Sequence, residues 1–430
     1  MKSAFRSASL LWLGLALLVA LAIAFLLPVT PQDYWWYLRI GQDTLAQGAV
    51  PTVDALTWSR AGTPVAYHSW GAAVLFWLVY EAGSLTLTVL LRGLLVAFTY
   101  GMVFFLARRL GAGERGAALV VLVAVLASSN NWSLRPQLLA YPLFVLALDR
   151  LYRWHQGDRK AVWPLPLIGL LWVNLHGSFV MLVLLAGAAL VFGRGDRKAL
   201  GLAFAVTLLA TLINPRGPGA WTYVYDSLTV ASSQQFSAEW RPPVNDGWQM
   251  ALFFAWLLAF PLMAALSPRK LDRLEWTWFL GFGFLALSGV RYGIWFVWLL
   301  AVLTAAALGD WERRKLGASQ LNLPALNWTM FALFVLLPLA LLPGLRESWW
   351  EQAPPAAENT PVEAAAWLAE HPELPGPLWS EIGFSSYLEF ALPERPTWID
   401  TRFEVFPVEQ WQEYAAITNA AWDWESRLDA

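Results

Sequence analysis

Long apolar runs, interrupted by short polar and basic stretches, set the pattern of this chain. A helix that crosses a bilayer needs about 20 mostly apolar residues, with a range of about 17–25. Runs at 10–27, 85–107, 250–266, 276–290, 294–308 and 327–342 meet or approach that length. Shorter ones stand at 117–129, 138–152, 163–175, 178–192 and 199–213, where tilt or flanking aromatics can complete a span. Together they predict about eleven transmembrane helices. The first run follows Lys2 and Arg6 as a secretory signal would, but it is long for that purpose. Residues 28–37 also offer no small-residue cleavage pattern, so the run reads as a retained helix. A further apolar run, 71–80, is too short to span and suits an interfacial or re-entrant helix.

Basic residues orient the spans. With the N-terminus inside, alternate connections carry Lys2 and Arg6; Arg108, Arg109 and Arg115; and Arg150, Arg153, Arg159 and Lys160. The next inside connections carry Arg194, Arg197 and Lys198; Arg269, Lys270 and Arg273; and Arg313, Arg314 and Lys315. These make eighteen of the 29 basic residues and include every lysine, as the positive-inside rule requires of a multi-pass protein of the cell membrane. The first loop, 28–84, then faces outside with the connections at 130–137, 174–177, 214–249 and 290–293. So does everything beyond residue 342.

Two domains are expected on this pattern: a transmembrane unit over 1–343 and an external one over 344–430. In the tail, Thr360-Pro361-Val362-Glu363 reads as a capping box with proline at the first helical position, opening a helix to about residue 371. Short apolar pieces at 377–380 and 396–399 alternate with helical ones at 385–392 and 408–416, which predicts a small α/β layer. The chain reaches Ala430 without a closing element, so that domain is expected to be incomplete. The fold class expected is an all-α polytopic membrane protein with a small external α/β domain.

Composition narrows the function. Charged residues are 14% of the chain against 58% hydrophobic, where a soluble domain carries about 25% charged. The 28 tryptophans and 24 phenylalanines are expected in part at the membrane interfaces. Without cysteine the chain has no disulfide, thiolate metal site or cysteine nucleophile. A net charge of -2 argues against a general nucleic-acid binder. No Walker loop, GxGxxG or HExxH occurs, and His68, His155, His176 and His371 are dispersed.

Candidate chemistry lies in the expected external loops. Asp33 stands among Tyr34, Trp35, Trp36 and Tyr37 just beyond the first span, where partial desolvation can raise a carboxylate pKa. The residues alone leave two readings open, a catalytic acid or an N-cap of the amphipathic helix that follows. Asp54 and His68 lie further along the same loop. Arg135, Arg216 and Arg291 sit at outer helix ends in otherwise apolar text, and Arg92 lies within a span. Intramembrane charge costs about 2.5–3.5 kcal/mol on insertion scales, so it usually has a partner or a function. A forked guanidinium suits phosphate, although snorkelling and pairing with external acids such as Glu81, Asp226 or Glu239 serve equally. His176, in the turn Asn174-Leu175-His176-Gly177, can orient a phosphate or hydroxyl, or simply satisfy carbonyls freed at the turn.

These phrases resemble a family. Asp33-Tyr34-Trp35-Trp36-Tyr37-Leu38-Arg39-Ile40-Gly41, Pro51-Thr52-Val53-Asp54, Thr57-Trp58-Ser59 and His68-Ser69-Trp70 are similar to bacterial members of the GT-C glycosyltransferase superfamily, near the protein mannosyltransferase and aminoarabinose transferase group. Ser133-Leu134-Arg135-Pro136-Gln137, Trp172-Val173-Asn174-Leu175-His176-Gly177 and Trp398-Ile399-Asp400-Thr401-Arg402 resemble that group's recurrent phrases. The resemblance implies a multi-span fold, a polyprenyl-phosphate sugar donor and a catalytic acid in the first external loop, at Asp33. Better-known members carry a second acid beside it; here the neighbours are Gln32 and Tyr34, so Asp54 is a candidate for that role. On this reading Arg135, Arg216 and Arg291, with His176, hold the donor phosphate, while Trp36, His68 and Glu239 belong to the substrate loops. No cofactor is implied with certainty, though a divalent cation is compatible. The partners are membrane lipids and an acceptor glycan, lipid or protein, with no nucleic acid. Rival classes are a transporter or lipid flippase, which should show polar groups at mid-membrane in broken helices, and a scaffold, which would not need so long an interfacial loop.

Overall fold

The computed structural model describes residues 8–315, 324–345, 356, 357 and 359–428. Lys2 and Arg6 lie outside them. The helices are α1 (Ala8–Leu26), α2 (Tyr34–Gln47), α3 (Trp70–Arg109), α4 (Glu114–Ser128), α5 (Gln137–His155) and α6 (Leu165–Leu175). They continue as α7 (Val180–Phe192), α8 (Arg197–Ala210), α9 (Gly219–Thr229), α10 (Ala231–Phe236), α11 (Gly247–Leu266) and α12 (Arg273–Ser288). Then come α13 (Gly293–Lys315), α14 (Pro324–Leu341), α15 (Val362–Glu370), α16 (Ile382–Ala391), α17 (Val408–Thr418) and α18 (Trp424–Leu428). Every apolar run singled out in the sequence lies largely within one of these helices.

Among the described residues three segments are long and apolar enough to cross a membrane: Trp70–Arg109, Gly247–Leu266 and Val290–Gly309. In α11, Leu258, Leu262 and Leu266 lie exposed at 76%, 63% and 77%, a spacing of four that lines one helix face. An apolar stripe so open to its surroundings is suited to lipid. The run at 71–80 forms the first part of α3. Non-helical backbone at Gly83 and Ser84 separates it from the longer segment, with Ser84 at a φ of 52°. That break lets one end of α3 follow the first loop while the other enters the bundle.

The core is aromatic. Trp132, Trp154, Trp172, Trp278, Trp295 and Trp298 are among the largest fully buried side chains, so these six do not form an interfacial belt. Several of their ring N–H groups find acceptors: Trp172 donates to Ser178 Oγ at 3.1 Å, Trp154 to the Asp196 carbonyl at 2.9 Å and Trp278 to the Leu185 carbonyl at 3.2 Å. An indole that satisfies its one donor this way buries a large apolar area. Arg92 is 1% exposed and donates to the Leu27 carbonyl, a partner at the end of α1, where helical carbonyls concentrate negative charge.

The first loop and the tail are built as one body. Close approach of α2 and α3 depends on Gly41, where a Cβ would come within 2.2 Å of the Ala73 carbonyl oxygen. On its other side α2 packs against α16, with Trp35 edge-on to Tyr387 at 4.8 Å between ring centroids. Trp58 N donates to the Thr397 carbonyl at 2.9 Å and Thr397 N to the Leu56 carbonyl at 3.2 Å. The α/β layer expected in the tail differs from what forms. Among the described residues there are only isolated bridges, such as Leu378 with Thr397 and Thr57 with Thr397, because the short apolar pieces pair with the first loop and with single neighbours instead of in ladders. The helix after Thr360 is present, but its capping box does not form: α15 has no side-chain cap, and the Thr360 hydroxyl is buried without a hydrogen-bond partner. A capping box does close at α12, between Asp272 and Glu275.

Candidate active site

A cavity of about 620 Å³ opens where the first loop, four other connections and the tail converge. Asp33 comes from the start of α2, Arg135 from the turn before α5 and His176 from the turn between α6 and α7. Glu239 and Arg291 come from single 3-10 turns at Ala238–Trp240 and Val290–Tyr292. Trp36 and His68 complete the set of sequence candidates that line it.

Asp33 occupies the N-cap position of α2, yet its side chain makes no capping hydrogen bond. Its Oδ2 instead lies 2.9 Å from Arg135 Nε. The same guanidinium pairs through Nη1 with Glu239. One arginine thus holds two carboxylates from distant loops. Arg291 is differently placed: among the described residues it forms no ion pair, and its guanidinium lies over the Trp240 ring, 4.1 Å from the centroid. Stacking fixes the direction of the fork and leaves its edge donors for a ligand.

Both histidines are neutral. His68 stacks on Tyr223 at 3.8 Å, and burial, reinforced by Arg291, lowers its pKa to about 3. Burial likewise pushes His176 well below its ordinary value, with His68 and Arg291 adding to the effect. His176 Nδ1 accepts from Ser178 N at 3.0 Å, and this assigns the ring proton to Nε2 as a donor. The chemistry on offer is therefore a positioned carboxylate, an unpaired guanidinium and neutral hydrogen-bond donors beside aromatic walls.

No group of three or more His, Asp or Glu side chains that could hold a metal ion occurs among the described residues. In the cavity the carboxylates of Asp33 and Glu239 converge, and the Arg135 guanidinium already bridges them. The residues do not fit a divalent cation.

Solved structures of similar shape decide the fold. The apo crystal structure of the Archaeoglobus fulgidus oligosaccharyltransferase matches with a TM-score of 0.57 at 12% identity, over 90% of this chain and 64% of that one. The same protein tethered with an acceptor peptide containing the NVT sequon gives 0.57 at 13%, over 91% and 64%. Its complex with Zn and sulfate gives 0.57 at 13%, over 90% and 62%. The chain has the GT-C fold. It spans less than two thirds of the length of these structures. No family model and no curated protein matches it.

Two sequence candidates stand outside the cavity lining of this chain. Asp54, 2% exposed, accepts from Arg402 Nη1 at 2.7 Å and from the Thr57 hydroxyl. Arg402 in turn donates to Asp400 Oδ2 through Nη2 at 2.5 Å and to the Tyr67 hydroxyl at 2.8 Å. Asp54 is spent on bolting the first loop to the tail, a different place from the one expected of a second acid at the reacting centre. Arg216 is exposed on the approach to α9, and only its field reaches His68. The expected convergence of three arginines is thus a convergence of two.

The tail contributes residues that the sequence reading did not name as site residues. Glu381, Thr401, Arg402, Phe403 and Glu404 line the cavity, and the Tyr223 hydroxyl donates to Glu404 Oε1 at 3.2 Å. Burial raises the Glu404 carboxyl above its ordinary value. Of these tail residues, Thr401 and Arg402 belong to the phrase Trp398-Ile399-Asp400-Thr401-Arg402, whereas Glu381 and Glu404 lie outside it and carry no local signal.

Proposed function

We propose that the chain is an integral membrane glycosyltransferase that moves a sugar from a polyprenyl-phosphate donor to an acceptor hydroxyl or amine at the outer face of the cell membrane. The observation that carries this reading is the cavity at the convergence of the loops, where Asp33, Arg135, Glu239 and Arg291 gather on a GT-C fold. The reading keeps about eleven spans, a cytoplasmic N-terminus and an external tail, because the cavity-lining loops are those that the basic residues assign to one side. An acceptor glycan, lipid or protein enters beside the tail.

In the reaction, Asp33 takes the proton from the acceptor as its oxygen or nitrogen attacks the anomeric carbon. The bond from that carbon to the phosphate oxygen breaks, and the polyprenyl phosphate leaves with the bonding pair. Arg291 receives the charge that develops on the phosphate, since it is the cavity guanidinium not held by a carboxylate. Arg135 aims the Asp33 carboxylate and lends its remaining donors to the same phosphate. His176 donates from Nε2 to a phosphate or sugar oxygen. A single displacement without a covalent intermediate inverts the anomeric centre.

Purified protein incubated with radiolabelled polyprenyl-phosphate sugar and candidate acceptors tests the class of reaction. Label appearing in an acceptor, and absent in the Arg291→Ala variant, supports it. Binding of the lipid with transport across vesicles and no transfer would favour the flippase class.

A further inference from the structure

Asp33 and Glu239 come from loops far apart in the sequence, and both point at one guanidinium. Two carboxylates converging in a polar cavity are the ordinary beginning of a divalent-cation site. Here the Nε and Nη1 donors of Arg135 meet them one each, so the carboxylates are neutralised by a cation that is part of the chain. The three side chains are neither sealed away nor free in bulk water: Asp33 is 19% exposed, Arg135 29% and Glu239 41%. Arg135 is fixed from behind by its own turn, where its backbone N–H donates to the Ser133 carbonyl at 2.8 Å and its carbonyl accepts from Leu138 N at 2.9 Å. A third carboxylate or histidine that could complete a metal shell does not stand close enough among the described residues.

We propose that the Arg135 guanidinium takes the place of a divalent cation between the two loop carboxylates, so that the cavity works without metal and gains a metal site only when this arginine is removed. The guanidinium orients both carboxylates through fixed donors. A bound metal would instead leave when the cation concentration falls. The consequence for transfer rests on the glycosyltransferase reading above; the consequence for metal binding does not.

The test is Mn2+ binding to the full chain in detergent, followed by the electron paramagnetic resonance signal of free Mn2+. The wild type is expected to leave the signal unchanged by any site that depends on Asp33. Arg135→Ala is expected to take up about one Mn2+ per chain, because affinity grows with the count of unneutralised carboxylates. Adding Asp33→Asn to Arg135→Ala abolishes that uptake. Arg135→Lys retains a charge and gains no site. Saturable Mn2+ binding by the wild type that Asp33→Asn removes would overturn the proposal, and that arm needs no arginine variant to fold. Uptake by Arg135→Ala that survives Asp33→Asn would overturn it equally. In the transfer assay, chelation by EDTA leaves the wild-type rate unchanged. A loss restored by added Mn2+ overturns the proposal and leaves the glycosyltransferase reading standing; no transfer under either condition counts against that reading alone.

Discussion

Asp33 Oδ2 lies 2.9 Å from Arg135 Nε, and this ion pair joins the first loop to the turn before α5. The contact settles how the carboxylate is used within the fold. It does not cap α2, although it occupies the capping position. It is turned toward the cavity, where it can meet a ligand.

Arg291 should govern donor phosphate binding more than Arg216 does. Arg291→Lys keeps the charge but loses the planar fork that stacks on Trp240. Truncating a charged hydrogen-bonding partner costs about 2–5 kcal/mol in comparable sites, so Arg291→Ala should weaken binding of a polyprenyl phosphate about 30-fold or more. Arg216→Ala should stay near wild type. Equilibrium binding of the labelled lipid separates the two.

Arg402 should be a stability residue first. Removing it strands Asp54 and Asp400, which are 2% and 0% exposed, and breaking a buried pair costs about 3–5 kcal/mol. Arg402→Met should therefore lower the thermal midpoint in detergent and make the tail easier to cleave by protease. Asp54→Asn retains acceptor and donor groups and should be milder. Lost transfer in Asp54→Asn with an unchanged thermal midpoint would move catalysis to Asp54.

The two histidines give a pH signature. His68 is held neutral to about 3 and His176 well below its ordinary value, so the rate should show no limb near the free imidazole value of 6.5. Stability carries the sign of a depressed pKa. Above pH 6.5 the contribution of His68 is level; as the pH falls toward about 3 the unfolded chain binds the proton more readily, and stability declines. His68→Gln should flatten that part of the unfolding curve. An unchanged slope would mean that His68 is open to water.

The apolar helices were legible because long apolar runs leave a direct trace in the chain. The connections that carry the site were legible as the polar stretches between those runs. Seven of the nine named site candidates line one cavity: Asp33, Trp36, His68, Arg135, His176, Glu239 and Arg291. Asp54 lies outside the cavity lining, held by Arg402 348 residues away, and no local pattern reports such a pairing. Glu404 was hidden in the same way, its partner Tyr223 being 181 residues away. Arg216 sits at a helix end like the other two arginines, but a helix end does not reveal which way the side chain turns.

The central claim is that Asp33 is the base for sugar transfer. It is tested most directly by comparing wild type and Asp33→Asn for transfer of label from polyprenyl-phosphate sugar, with donor binding measured on the same samples. A general base contributes about 10²–10⁴-fold, so Asp33→Asn should lose transfer on that scale while expression and donor binding stay near normal. Asp43→Asn, which only breaks an i,i+4 pair with Arg39 on α2, should be mild. Transfer by Asp33→Asn at the wild-type rate would contradict the account.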